Sequence, residues 1–329
     1  MREEVAADAS PDALDTVAQA DAVRDSLILS GWRVSELLLG SDPTRLEREL
    51  GAARPVAVFN LVESHLGLSS LACIGPAVCR KARTPFTGCD EAALALAGDK
   101  AATRRLLVAA GLPAPRGVSL DEVRQGLFPG VGTYIVKSRF EDASLGLGPD
   151  CVVNVTSSHD LLSRMSKLSG QLGGDCVAES FVSGREFNLA LLAGLEGVMA
   201  LPLAEMVFDP GYQGPAIVDY AAKWDEQSPA FASSWRSFEF AIDEATQAHM
   251  VAIGRRCWDL FGLAGYARID FRVDESGRPY VIDVNPNPCI AGDAGFTAAA
   301  ARAGLDHQTV VEMLVGDALR RAGQDRRRM

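Results

Sequence analysis

Lysine is scarce in this 329-residue chain. Only five of its 32 basic side chains are lysine (Lys81, Lys100, Lys137, Lys167 and Lys223). Positive charge is short overall, with 43 acidic residues and a formal net charge of −11. That deficit excludes general binding to nucleic acid or anionic membrane, which takes dense basic patches. No apolar run reaches the roughly 18 residues that would suggest a membrane span. The start, Met1 to Asp8, is acidic and lacks the apolar stretch of a secretory signal. The seven cysteines (73, 79, 89, 151, 176, 257 and 289) form no C-x-x-C pair and no cluster with histidine. They read as reduced, mostly buried thiols of a cytoplasmic protein. What is abundant is apolar: 48% of residues, in a chain long enough for two or three compact domains.

The apolar spacing sets the order of elements. Leu14, Val17, Val23, Leu27 and Ile28 predict a helix over 12–30, ended by Gly31. A short strand at 34–39, a helix at 44–51 and a nearly continuous apolar strand at 55–62 follow. Apolar strands between helices indicate a parallel sheet covered on both faces. Such a layer ordinarily opens with a strand, and residues 1–11 offer none. Residues 66–83 read as a helix that Pro76 bends or divides. Asp90 and Asp99 are positioned to cap helices 91–97 and 100–110. The segment 112–119 is the best linker candidate. Strands are expected at 133–138, 151–155, 176–181, 186–193 and 198–203, with a helix at 159–170. Residues 209–235, rich in Gly, Pro and aromatics, read as a functional loop. Helix 243–262 precedes strands 265–273 and 279–285, and helices 296–303 and 307–322 close the chain before a frayed Arg-rich tail at 326–328.

The two late strands carry chemistry. With Glu275–Arg278 as a hairpin loop and Asp274 opposite Pro279, Asp270 faces Asp283 and Arg268 faces Asn285. Alternation then puts Arg268, Asp270, Asp283 and Asn285 on one face, and Ile269, Phe271, Ile282 and Val284 on the other. Two opposed carboxylates repel. A divalent cation would relieve them, and Asp and Asn oxygens suit Mg²⁺ held jointly with substrate phosphates. The other reading is a solvated acidic face neutralised by Arg268 and Arg272.

The hairpin with Pro286-Asn-Pro-Cys-Ile resembles the C-terminal metal motif of the ATP-grasp superfamily, in its D-alanine–D-alanine ligase branch. Arg268-Ile-Asp270 and Asp283-Val-Asn285 stand for that branch's Arg-x-Asp and Glu-x-Asn, with Cys289 in place of a glycine. Further segments follow in the family's order: Val58-Phe-Asn-Leu-Val, Asp99-Lys100, Ile135-Val-Lys137 with Ser144-Leu-Gly146, Val177 to Glu186, and Asp219-Tyr-Ala-Ala-Lys223. The match runs from about 55 to 305.

The resemblance implies an α/β (α+β ATP-grasp) fold. Its parts are an N-terminal parallel α/β layer over 1–90 lacking its first strand, a central lid subdomain over 91–182, and a C-terminal antiparallel-sheet subdomain over 183–329. Lys100, Lys137 and Lys223 would hold ATP phosphates; Glu179, Phe181 and Val182 the adenine; Glu186 the ribose. Asp270, Asp283 and Asn285 would bind two Mg²⁺ ions, with Mn²⁺ as a substitute. Arg268, Ser144 and Lys223 would be catalytic. Phe181 and Val182, taken singly, read equally as core, whereas Glu179 in an apolar strand demands a partner. Cys289, with no histidine near it in sequence, reads as a packing variant.

Departures concentrate on the substrate side. The family's Glu-x-x-Val-Ser motif has no counterpart, Glu63 stands for a histidine, Ala143 for the first loop serine, and Ala294-Gly295 for a Ser-Leu pair. Glu63, Cys289 and Gly295 are therefore substrate candidates, Glu63 for an ammonium group or simply as a cap or surface residue. The implied activity is ATP-dependent ligation of a carboxylate and an amine, both amino-acid-like small molecules, through an acyl phosphate, in specialised metabolism rather than cell-wall synthesis. The alternatives are a small-molecule phosphotransferase and a nucleotide-binding regulator without turnover. The family implies a homodimer.

Overall fold

Strands fall into three sheets in the computed structural model, which describes residues 1–5 and 11–328, leaving out the side chains of 12–13 and 325–328. The first sheet contains the strand that hydropathy did not announce. Strand β1 (Arg2–Glu3) pairs in parallel with β2 (Leu38–Leu39). On its other side the Met1 ammonium donates to the Phe59 carbonyl at 2.7 Å, and the Leu61 N–H donates to the Met1 carbonyl at 2.8 Å. The first strand is thus present, and two charged residues gave no apolar signal for it. The expected strand at 55–62 is extended chain with one parallel bridge, Val58 to Phe86, rather than a full ladder. Helices α1 (Pro11–Leu29) and α2 (Pro43–Ala53) flank this layer. Helix α3 (Ile74–Lys81) is shorter than the predicted 66–83. Pro76 lies in its first turn, where a missing N–H costs nothing, so it marks the helix start. In α4 (Glu91–Gly98) and α5 (Lys100–Ala109), Asp90 and Asp99 accept from the second and third backbone N–H groups, as expected.

The second sheet has four antiparallel strands in the order β3-β6-β4-β5: β3 (Gly117–Ser119), β4 (Gly132–Ser138), β5 (Val152–Val155) and β6 (Cys176–Ser180). The expected linker therefore ends in a strand. Helices α6 (Leu120–Arg124) and α7 (Ser158–Leu168) cover one face over a core of its own, with Tyr134, Val136, Leu161 and Met165.

The third sheet has six strands, all antiparallel, with the path β10-β9-β7-β11-β12 and β8 paired to β7. They are β7 (Arg185–Ala193), β8 (Val198–Ala200), β9 (Ala204–Phe208), β10 (Ser234–Ser237), β11 (Tyr266–Val273) and β12 (Pro279–Pro286). Short helices α8 (Tyr220–Trp224) and α9 (Pro229–Ala232) occupy the predicted loop, and α10 (Glu244–Leu260) follows β10. Helices α11 (Gly295–Arg302) and α12 (His307–Arg328) close the described chain, the last running past the expected end.

One face of this sheet, with Phe187, Leu189, Ile269 and Phe271, packs on α4, α5 and α10. The other face changes character along its length. Ala190, Leu192 and Tyr266 pack with Phe59, Leu61, α11 and α12, while Glu186, Asn188, Arg268, Asp270 and Arg272 continue the same face as a polar strip. Each large side chain buried on the apolar part contributes about 1.5–3 kcal/mol, which fixes the strand parity that presents the polar part.

The hairpin register holds where the chemistry lies: Arg268 faces Asn285 and Asp270 faces Asp283. Toward the tip it shifts by one at a β-bulge after Asp270, so Phe271 faces Val281 and Val273 faces Pro279. The expectation for Ile282 is corrected: Val281 is in the core with Val284, and Ile282 is the extra residue. Gly277, at φ 82°, closes the turn.

Candidate active site

Asp270 sits on the central strand β11 and is the most heavily bonded group of the polar strip. Arg268 grips it with two bonds, Nε at 2.7 Å and Nη2 at 2.9 Å. Asn188 Nδ2 donates to it from β7 at 2.8 Å, and Asn285 Nδ2 donates from β12 at 3.0 Å. Asp283, directly opposite, accepts the Val284 N–H at 3.1 Å and has no ion pair among the described residues. Arg268 thus answers the repulsion on one carboxylate and leaves the other charge to be met. The described residues hold no group of three or more His, Cys, Asp or Glu placed for a metal. Two carboxylates and an amide suit a cation that takes its remaining ligands from phosphates and water, which is the habit of Mg²⁺. To ligate, Asn285 must turn its oxygen forward and release its bond to Asp270. Asn188 escaped the sequence reading, although its place two residues after Glu186 on an alternating strand was the available signal.

The lysines converge on this strip from the second sheet. Lys137 of β4 pairs with Glu179 of β6 at 3.0 Å and donates to the Ile282 carbonyl, turned toward it at the bulge, at 2.8 Å. Glu179 therefore has the partner that its buried position required. Lys100, at the start of α5, is buried and donates to Asp142 Oδ1 at 2.9 Å and to the Glu141 carbonyl at 3.0 Å. Burial opposes its charge, but Asp142 and Asp283 outweigh burial and raise its pKa. Its helix is anchored by Arg139, which bridges Asp99 at 2.7 Å and Asp175 at 3.0 Å. Lys100, Glu179, Ile282 and Asp283 line one narrow cleft. Beside it, Arg272 binds Glu186 at 3.1 Å, donates to the Val182 carbonyl and lies over the Phe181 ring. Burial raises the Glu186 carboxyl, and Arg272 opposes this.

Two loops meet over the strip. Ala143 and Ser144 have φ of 55° and 62°, strained for residues with a Cβ and of a kind concentrated at functional loops. Ser144 Oγ donates to the Val218 carbonyl at 2.8 Å, Trp224 Nε1 to the Ala143 carbonyl at 3.0 Å, and the Tyr220 N–H to the Leu147 carbonyl at 3.1 Å. These bonds tie the Gly/Pro-rich segment to the small-residue loop. Lys223 follows on α8, over the Trp224 ring at 4.8 Å. Burial and Arg268 lower its pKa, against Glu63 and Asp15. Its side chain still meets solvent, so it lines an open cleft.

The far wall of that cleft comes from α1 and β1, which the sequence reading left empty. Gln19 of α1 donates to Glu63 at 2.9 Å and accepts the Ile290 N–H at 2.9 Å. The Cys289 thiol donates to Asp15 at 3.1 Å, and Glu3 accepts the Glu63 N–H at 3.2 Å. Burial and Asp15 push the Cys289 thiol up, so it is no nucleophile. Glu63 is exposed at the rim of the cleft, and desolvation by the surrounding protein, with Glu3 and Asp15, pushes its carboxyl up to about 7, against Gln19 and Lys223. Asp15 and Gln19 had no sequence signal, because only the fold brings α1 to Glu63 and Cys289. Gly295, the third substrate candidate, starts α11 on the opposite side, next to Arg236 of β10.

A raised carboxyl favours the folded state fully below its unfolded pKa and loses that contribution as pH rises through its folded value. Glu63→Gln is therefore expected to leave the melting temperature unchanged at about pH 4 and to raise it relative to the original chain at about pH 8. Scanning fluorimetry checks this, and a difference independent of pH would show that Glu63 is ionised throughout.

A family model described as D-ala D-ala ligase C-terminus matches residues 132–316. The D-alanine–D-alanine ligase of Methylococcus capsulatus is 29% identical over 267 residues, covering 77% of this chain and 76% of its own. That of Gluconobacter oxydans is 27% identical over 309 residues, covering 93% of this chain and 95% of its own. Among solved structures, the D-alanine–D-alanine ligase from Bacillus anthracis complexed with ATP gives a TM-score of 0.73 at 16% identity, covering 98% of this chain and 97% of that one. At that identity the likeness is one of fold.

Proposed function

Since the chain belongs to the D-alanine–D-alanine ligase family and is an ATP-dependent carboxylate–amine ligase of the ATP-grasp type, we propose that it joins two amino-acid-like substrates other than a pair of D-alanines. The observation that carries the chemistry is the strip of Arg268, Asp270, Asp283 and Asn285 lying beneath Lys137 and Lys100. Lys100 and Lys137 would hold ATP phosphates as point charges. Glu179, Phe181 and Val182 would receive the adenine and Glu186 the ribose, sharing its carboxylate with Arg272. Asp270, Asp283 and Asn285 would hold two Mg²⁺ ions, which would supply positive charge to offset that of the phosphates.

A substrate carboxylate would attack the terminal phosphorus of ATP, releasing ADP and leaving an acyl phosphate. The amine would then attack the acyl carbon and phosphate would depart, the amine's proton leaving with it or to solvent. Ser144 and Lys223 would steady the transferring phosphate from the loop side. Arg268 would stabilise the acyl phosphate and the tetrahedral oxyanion that follows.

What supports a different substrate is the cleft wall of Glu63, Asp15 and Gln19 together with Gly295. Glu63 would take a substrate ammonium. A peptide-forming step in specialised metabolism fits such a wall. The same proposal takes 91–182 as the lid between 1–90 and 183–329, although helices 91–109 pack on the last of these, and takes the chain as a cytoplasmic homodimer. Among the described residues no helix is long and apolar enough to cross a membrane.

The test is phosphate release over pairwise combinations of amino acids in both configurations, with product mass measured. A dipeptide other than D-alanyl-D-alanine is expected. A stable phosphorylated product would instead indicate phosphotransfer. Residues 209–235 should also gain protection from hydrogen exchange on binding a non-hydrolysable ATP analogue. Unaltered exchange there would argue against a loop that closes over phosphate.

A further inference from the structure

Asp142 puts a negative charge beside a lysine assigned to phosphate. Its Oδ1 accepts from Lys100 Nζ at 2.9 Å, and the Glu141 carbonyl accepts from the same nitrogen at 3.0 Å. Two of the three ammonium donors are therefore directed at one loop. Among the described residues Asp142 is the only carboxylate paired with Lys100. Asp283 and Glu179 act on that lysine across the cleft, and Glu179 is already paired with Lys137.

The two partners are unequally held. Lys100 is the first residue of α5, its N–H donates to the Arg139 carbonyl at 3.0 Å, and its side chain is only 8% exposed. The Asp142 side chain is 55% exposed and makes no second hydrogen bond or ion pair among the described residues. The backbone around Asp142 is fixed without that carboxylate. The Glu141 N–H donates to Ser138 Oγ at 3.0 Å, Ser69 Oγ donates to the Glu141 carboxylate at 2.8 Å, and the Leu145 N–H donates to the Asp142 carbonyl at 3.1 Å. Asp142 can therefore leave Lys100 by changing rotamer while the loop keeps its path. A buried ammonium needs a counter-charge at all times, and a carboxylate that can turn away supplies one until another anion replaces it.

Resting on the reading of Lys100 as a phosphate ligand, we propose that Asp142 is an internal competitor of ATP, holding Lys100 by the donors that phosphate oxygens need and turning away when the nucleotide binds. Carboxylate and phosphate seek the same ammonium, and a carboxylate left beside a triphosphate would repel it. Asp142 therefore keeps ATP affinity below what Lys100 and Lys137 alone would give. The competition touches only the phosphate part of the ligand, so the nucleoside binds without it.

The experiment titrates the full chain, by calorimetry with Mg²⁺ present, with a non-hydrolysable ATP analogue and separately with adenosine. Asp142→Asn should tighten the analogue by about 5-fold, the order of one partly exposed ion pair, and leave adenosine unchanged. Asp142→Ala should do the same, and it excludes an amide oxygen that takes the place of the carboxylate. Lys100→Met should weaken the analogue, and on that background Asp142→Asn should give a smaller gain; Lys100→Gln replaces Lys100→Met should the latter fold poorly. Unchanged or weaker analogue binding in both Asp142 variants, or an equal gain for adenosine, overturns the role of Asp142 alone. Undiminished analogue binding without Lys100 removes that lysine from the phosphate site, and this inference with it.

Discussion

Asp283→Asn is expected to lower turnover at saturating Mg·ATP by about 10²–10³-fold, the range for removing one preorganised charge-stabilising group. The structure explains why Asp283 and not Asp270 is the sharper test. Asp270 has two bonds from Arg268 and one each from Asn188 and Asn285. Changing it would release an arginine and disturb three strands. Asp283 has one backbone donor and stands opposite a like charge. Replacing it with its isosteric amide removes a repulsion from Asp270 and an attraction to Lys100 but breaks no direct ion pair, so stability should change little. Calorimetry adds a measurement that needs no second substrate: the dependence of ATP affinity on Mg²⁺ should weaken. Full turnover together with unchanged Mg²⁺ dependence would remove Asp283 from the metal set.

The second large effect concerns Lys137, and it has two separable parts. Lys137→Ala leaves Glu179, 5% exposed, as a buried carboxylate without its cation. Breaking a buried pair from one side costs about 3–5 kcal/mol, measurable by urea denaturation. Adding Glu179→Gln removes the stranded charge and should recover most of that loss. ATP affinity should fall in the single variant and stay low in the double one, because the phosphate partner is still missing. Undiminished stability in the single variant would mean that Glu179 is satisfied without Lys137. Restored ATP affinity in the double variant would show that Lys137 serves the fold and not the nucleotide.

The parts of the molecule legible in sequence are those that local rules decide. Asp90 and Asp99 cap as their positions before apolar helices suggest, and strand parity in Arg268–Asp270 and Asp283–Asn285 brings the four polar residues to one face. The family and the ATP-grasp fold followed from the order of such pieces. What stayed hidden depends on distant pairing. Strand β1 is two charged residues made into a strand by Leu38 on one side and Phe59 and Leu61 on the other. Asp15 and Gln19 reach the cleft only because α1 packs beside Glu63 and Ile290. Arg236 lies in a segment with no clear period, and nothing in its neighbours signals that Gly295 will sit next to it.

The bulge at Ile282 acts as a phase shift in the hairpin. On its tip side, odd-numbered residues of β12 (279 and 281) point to the core; on its site side the core residue is the even-numbered Val284. The two halves of one strand thus keep opposite parity, and the packing of the tip does not dictate which side chains face the phosphates. Were the ladder to run on unbroken from Phe271 opposite Val281, Ile282 would stand opposite Asp270 and Asp283 would turn toward the core. The catalytic face therefore depends on an irregularity in the strand as much as on the residues displayed beside it.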